Sequence, residues 1–205
     1  MEETGGFPMS ATAQKTPKKG AANSNIWSTR QLVTMALLAA IGALFSFIQI
    51  PILPMVPFLT YDPSLVPAMI VGFAYGSGAG IAVGCIAAII HGLVLGEWVG
   101  TLMNIVATLC FVWPAAAIYK RKHTMAGAII GLIVGIVCAT LGSIVSNLTI
   151  GVWFWYGSAD AILPMMPMVL LFNVIKASLN AVLTLIIYKS ISNIITPVKD
   201  QVKGL

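Results

Sequence analysis

Between Pro164 and Tyr188 the chain reads PMMPMVLLFNVIKASLNAVLTLIIY, with Lys176 near its middle. The apolar residues are about as many as a bilayer-spanning helix needs, roughly 20. Asn173 stands one turn before Lys176 and Asn180 one turn after it, at i, i+3 and i+7, so a helix carries the three polar side chains on one face. An ammonium at the centre of such a helix costs about 2.5–3.5 kcal/mol on insertion scales. Leu, Ile and Val offset that cost, and the retained cation points to a ligand pocket inside the membrane. The structural alternatives are a lysine that snorkels to a headgroup or one that pairs with a buried acid. Snorkelling is hard from mid-helix, and no acid lies within any other apolar run.

Composition supports the same reading. Charged residues make up 8% of the chain and the mean hydropathy is +0.96, whereas a soluble domain is about 25% charged. The chain therefore reads as an all-α integral membrane protein. Residues 1–27 read as a disordered cytoplasmic tail, acidic and then polar, without the apolar core or cleavage site of a signal peptide. Residues 28–192 form one membrane domain, which leaves no room for a separate soluble catalytic domain, and 193–205 form a second cytoplasmic tail. Cys85, Cys110 and Cys138 lie in apolar runs without a CxxC pair, so neither metal nor disulfide chemistry is expected. The net charge of +5 is a topology signal, not a mark of nucleic-acid binding.

The apolar runs predict six transmembrane helices, at about 30–50, 64–76, 78–96, 101–120, 125–152 and 164–190. Four prolines between Pro51 and Pro63 rule out a helix through the first connection, which becomes an ordered, proline-rich extracellular loop capping the pocket. The glycine cluster at Gly76–Gly80 reads as a turn. With six spans both termini are cytoplasmic and share a side with Lys120–Lys122, so all Lys and Arg but Lys176 lie there, as the positive-inside tendency requires. The three opposite loops carry Asp62, Glu97 and Asp160. At 13–15 residues the second helix is short for a full crossing.

Small residues recur every fourth position at Gly76, Gly80, Gly84, Ala88 and Gly92, and again at Gly127, Gly131 and Gly135, a pattern that lets helices approach closely. Ala36 and Ala40 form a similar face on the first helix, suited to packing within the chain or to docking another membrane subunit. Asn104 and Thr108, then Ser143, Ser146 and Asn147, then Asn173 and Lys176 sit at comparable depth on three helices. With the proline-rich loop and Trp153–Tyr156 beside them, they suit a planar, polar, ring-containing ligand. Singly, each Asn is accounted for by an interhelical hydrogen bond of about 1 kcal/mol. His91 reads as a hydrogen-bonded core histidine. No HExxH, GxSxG, Walker loop or intramembrane carboxylate pair occurs, so the chain is expected neither to catalyse a reaction nor to energise transport itself.

MALLAA on the first helix, PFLTYDPSLVPAMIVGFAYGSGAG, MNIVATLCFVWPAAAIYKRK and FNVIKASLNAVLTLIIYK occur in an order and spacing that resemble the S components of energy-coupling factor (ECF) vitamin transporters, most of all the riboflavin-specific type. The resemblance covers about Gln31–Ser192. It implies that Ala36 and Ala40 dock on a transmembrane coupling (T) subunit, which works with two ABC-type ATPases. It implies that Phe58, Leu59, Thr60 and Tyr61 belong to a lid, and that Asn147, Asn173 and Lys176 contact the vitamin, with Asn104 on the matching helix. Riboflavin is then the transported ligand and no cofactor is expected. The protein would sit in the bacterial cell membrane, with lipid, the vitamin and the transporter subunits as partners and no nucleic acid. After the loop acid the riboflavin-type pattern has an aromatic, a serine and a second acid, where this chain has Pro63, Ser64 and Leu65. Three classes remain distinct: a capture subunit for riboflavin or another ring-containing micronutrient such as pyridoxine, thiamin or folate; a self-sufficient secondary transporter or channel; and an intramembrane enzyme using Lys176 as base or Schiff-base former.

Overall fold

The computed structural model describes residues 27–195, with side chains as far as Ile191. Residues 1–26 and 196–205, with Lys15, Lys18, Lys19, Lys199 and Lys203 of the topology argument, lie outside the described residues, while 193–195, expected in the second tail, continue the last helix. Helix α1 (Thr29–Ser46) starts at a capping box: Ser28 Oγ accepts the Gln31 N–H, and the Gln31 side chain accepts the Ser28 N–H. It ends at Ser46, short of the expected residue 50, because the chain turns into a small antiparallel pair, β1 (Ile50–Pro51) with β2 (Thr60–Tyr61). Pro51 is tolerated on this two-stranded edge.

Helix α2 (Leu65–Tyr75) is only 11 residues long. Pro67 falls in its first turn, where no helical donor is lost. Every residue from Leu65 to Ala74 is buried, packed among α1, α3 (Ser77–Leu95), α4 (Trp98–Arg121) and α7 (Met166–Ile195). A helix apolar all round and enclosed by protein has no bilayer thickness to match.

The glycine cluster is a turn, as expected, with Gly76 at φ +100° between α2 and α3. A Cβ on Gly80 would lie 2.6 Å from the Ala68 carbonyl oxygen and 2.7 Å from Gly72 Cα, so α2 and α3 meet backbone to backbone. Gly131 and Gly135 bring α5 (Met125–Ser146) equally close to the Ala115 and Phe111 carbonyls of α4. The small-residue stripes thus serve packing within the chain.

Beyond Ser146 the helix does not stop near 152 but widens into a π-helical stretch, Asn147–Tyr156, closed by Gly157 donating to the Val152 carbonyl at 2.9 Å. A short α6 (Ala159–Ile162) and one 3-10 turn (Leu163–Met165) lead into α7. Among the described residues, five helical segments are long and apolar enough to cross a membrane, and α2 is a shorter apolar helix.

Candidate ligand-binding site

A cavity of about 510 Å³ opens at one end of the bundle, within the range of small-molecule sites. Its walls come from the C-terminal turns of α1 and α3, the N-terminal halves of α4 and α7, the α5–π segment and the first loop. Of the expected residues, Phe58, Leu59, Thr60, Asn104, Asn147, Asn173 and Lys176 all line it. Tyr61 does not: Thr60 and Asp62 face the cavity, and alternation along an extended strand turns Tyr61 to the other side, where it is 7% exposed.

Lys176 carries the main correction to the sequence reading. Its Nζ lies 2.7 Å from Asp62 Oδ2, with both side chains largely buried. The partner acid comes from the first loop. Ser64 donates its N–H, at 3.1 Å, and its hydroxyl to Asp62 Oδ1. Burial opposes ionisation of Asp62, but the Lys176 charge and these hydrogen bonds outweigh it and hold the carboxyl below its ordinary value. Asn180, the third member of the polar face, does not line the cavity. Its amide N–H groups go to the Lys176 carbonyl, at 3.0 Å, and the Asp62 carbonyl, at 3.3 Å. The loop is thus tied to α7 at two points.

Asn147 and Asn173 each donate one amide N–H to the carbonyl four residues back, Ser143 at 2.9 Å and Val169 at 2.8 Å. Those bonds fix which amide atom is nitrogen, and leave the carbonyl oxygen and the second N–H for a ligand. Asn104 makes no side-chain hydrogen bond among the described residues. Phe172, Trp155 and Tyr156 add aromatic surface. The arrangement offers one cation, several amides and flat apolar walls.

Four further polar residues line the cavity that the sequence does not mark as part of it: Ser46, Gln49, His91 and Glu97. His91 is hydrogen-bonded, as expected, with Nδ1 2.9 Å from Ser46 Oγ, yet it also borders the cavity. Elimination had a signal for Asp62, since only three acids lie within the membrane domain. Away from the cavity, Ala36 and Ala40 are exposed on α1 beside Val33, Leu37 and Leu44, whereas Ala39 and Ala43 point inward.

A bundle of membrane-length apolar helices around a half-polar cavity defines a multi-pass membrane protein built to hold a small ligand. The chain belongs to the ECF transporter, substrate-specific component family, whose profile matches residues 30–188, and it is a multi-pass bacterial membrane protein. It is 36% identical over 111 residues to the riboflavin transporter RibU of Staphylococcus aureus, covering 54% of this chain and 59% of that one. Over 132 residues it is 30% identical to RibU of Lactococcus lactis, covering 62% of each. With the riboflavin transporter FmnP of Bacillus subtilis it shares 29% over 139 residues, or 65% and 73% of the two chains. The matches thus span about three fifths of the length of the first of these relatives. A structure described as the S component of a bacterial ECF transporter superposes with a TM-score of 0.70 at 29% identity, covering 80% of this chain and 96% of that one.

Proposed function

We propose that the protein captures riboflavin from the extracellular side and delivers it through a T subunit driven by two ABC-type ATPases. The reading is supported by the names of three relatives and, above all, by one observation: Asn104, Asn147, Asn173 and Lys176 converge on one cavity with aromatic walls. A flavin ring carries carbonyl oxygens and ring nitrogens that accept hydrogen bonds and one N–H that donates. Lys176 supplies a charge-assisted donor for a carbonyl, and the asparagine amides supply both donors and acceptors. Phe172 and Tyr156 are suited to the ring faces, and Phe58 and Leu59 to closing over them. In this reading six segments cross the bilayer, both termini are cytoplasmic, and Ala36 with Ala40 is the docking face.

The protein purified in mild detergent from cells supplied with riboflavin tests this. Mass spectrometry of the denatured sample should release riboflavin in near-stoichiometric amount, with the yellow absorption of a flavin before denaturation. Release of a different micronutrient, or failure of added riboflavin to bind, would refute the substrate assignment.

A further inference from the structure

We infer that the end of the bundle opposite the cavity is a binding surface for anionic phospholipid, where Lys120, Arg121, Lys122 and Lys189 meet the headgroup phosphate. The inference uses none of the cavity residues and stands apart from the flavin reading.

An aromatic cluster builds this surface. Phe73 of α2, Tyr119 of α4 and Tyr188 of α7 are all buried. Their ring centroids lie 4.6 Å apart for Phe73 and Tyr119, 5.4 Å for Phe73 and Tyr188, and 5.8 Å for the two tyrosines. His123 stands edge-on to Tyr119 at 5.4 Å. The connection from α4 to α5 is held as closely: Thr124 donates its N–H to the Lys122 carbonyl at 2.8 Å, and its hydroxyl accepts the Gly127 N–H at 3.0 Å. Lys120 and Lys189 each directly follow a tyrosine of the cluster. Packing of the rings therefore brings two helices together with their cations at one end, and all four of those side chains are exposed.

The protein does not answer these charges itself. The acids among the described residues are Asp62, Glu97 and Asp160. Asp62 and Glu97 line the cavity, and Asp160 lies on α6, which leads into the cavity end of α7. None of the four cations forms an ion pair among the described residues. The C-terminal dipole of α4 presents only about half a negative charge to Lys120 and Arg121. The counter-charge must come from outside, and the adjoining surface says from what. One or two turns toward the cavity, Trp113 is 62%, Ile130 48% and Ile186 61% exposed. A phosphate joined to acyl chains covers both the cations and this apolar belt. Free phosphate covers the cations alone, which favours the lipid.

The test reconstitutes the full chain into vesicles of equal phosphatidylglycerol and phosphatidylcholine, re-extracts it in mild detergent and reads the retained lipid by native mass spectrometry. The wild type should keep phosphatidylglycerol over phosphatidylcholine by at least about fivefold, the worth of one cation at an anionic surface. Changing Lys120, Arg121, Lys122 and Lys189 together to Gln should bring the ratio close to one. Changing the three lysines to Arg keeps every charge and should preserve it. Arg121→Gln with Lys122→Gln is the milder variant, should the fourfold change not fold, and should lower the ratio at least about twofold. Thermal unfolding in phosphatidylcholine alone checks that each variant is folded. Equal retention of the two lipids by the wild type, or a wild-type ratio in the folded Gln variants, would overturn the inference. Loss of the wild-type preference in inorganic phosphate, but not in chloride of the same ionic strength, would make this a site for free phosphate and overturn the lipid assignment.

Discussion

Lys176 Nζ and Asp62 Oδ2 lie 2.7 Å apart although 114 residues separate them in sequence. The contact joins the last helix to the loop that lines the cavity, so one ion pair both settles a buried charge and ties that loop to the bundle. Replacing the pair is a different matter from breaking it. Removal of one partner leaves an uncompensated charge in a low-dielectric site, at about 3–5 kcal/mol.

Asp62→Asn should therefore lower the unfolding free energy of the ligand-free protein in detergent by about that amount. Asp62→Asn combined with Lys176→Met should recover most of it. Denaturant unfolding of the two single variants and the double variant checks this, and strictly additive losses would show that the pair is not coupled.

Acid should act through the same carboxyl. Its pKa is lowered in the folded state, so the unfolded chain takes up a proton first as the pH falls. The stabilisation is present above the ordinary carboxylate value, about 3.9, and is lost as the pH drops through the lower folded value. Unfolding measured between pH 3 and 5 should show stability rising with pH in the wild type, with a shallower slope in Asp62→Asn.

The contact of α2 with α3 has no slack. A Cβ on Gly80 meets backbone atoms at 2.6 and 2.7 Å, whereas one on Gly78 meets nothing within 4 Å. Gly80→Val should cost about 1–3 kcal/mol or prevent folding. Gly78→Ala should be neutral or stabilising by up to about 1 kcal/mol, from helix propensity. Thermal unfolding of the two variants side by side distinguishes a packing constraint from a general need for glycine.

The docking role proposed for the exposed alanines of α1 can be tested apart from ligand binding. Ala36→Leu with Ala40→Leu should leave riboflavin binding within about twofold, since neither residue lines the cavity. The same double change should abolish ATP-dependent uptake by the assembled transporter in vesicles. Undiminished uptake would remove this face from the docking surface.

Much of the bundle was legible because its signals are local. Apolar run length marked the long helices, Gly76 marked the turn before α3, and the i, i+3, i+7 spacing brought Asn173 and Lys176 to one face. The misplaced parts depend on the chain returning on itself. Nothing adjacent to Asp62 shows that the loop folds back to place it beside Lys176. Tyr61 is not separable from its neighbours in the sequence, because a strand as short as Thr60–Tyr61 leaves too little alternation to read. The continuation of α5 through Trp153–Tyr156 depends on π geometry, which residue propensities do not mark. His91 is hydrogen-bonded as expected, but its place at the cavity edge follows from where α1 ends.

The most direct test of the capture site is a riboflavin titration of ligand-free protein, followed by fluorescence quenching, for the wild type, Asn173→Leu and Lys176→Met. The account predicts saturable one-to-one binding in the wild type, weakened in each variant about 10- to 150-fold, as loss of one strong polar contact of about 1.5–3 kcal/mol requires. Wild-type protein that fails to bind riboflavin, or variants that bind it as tightly as the wild type, would contradict it.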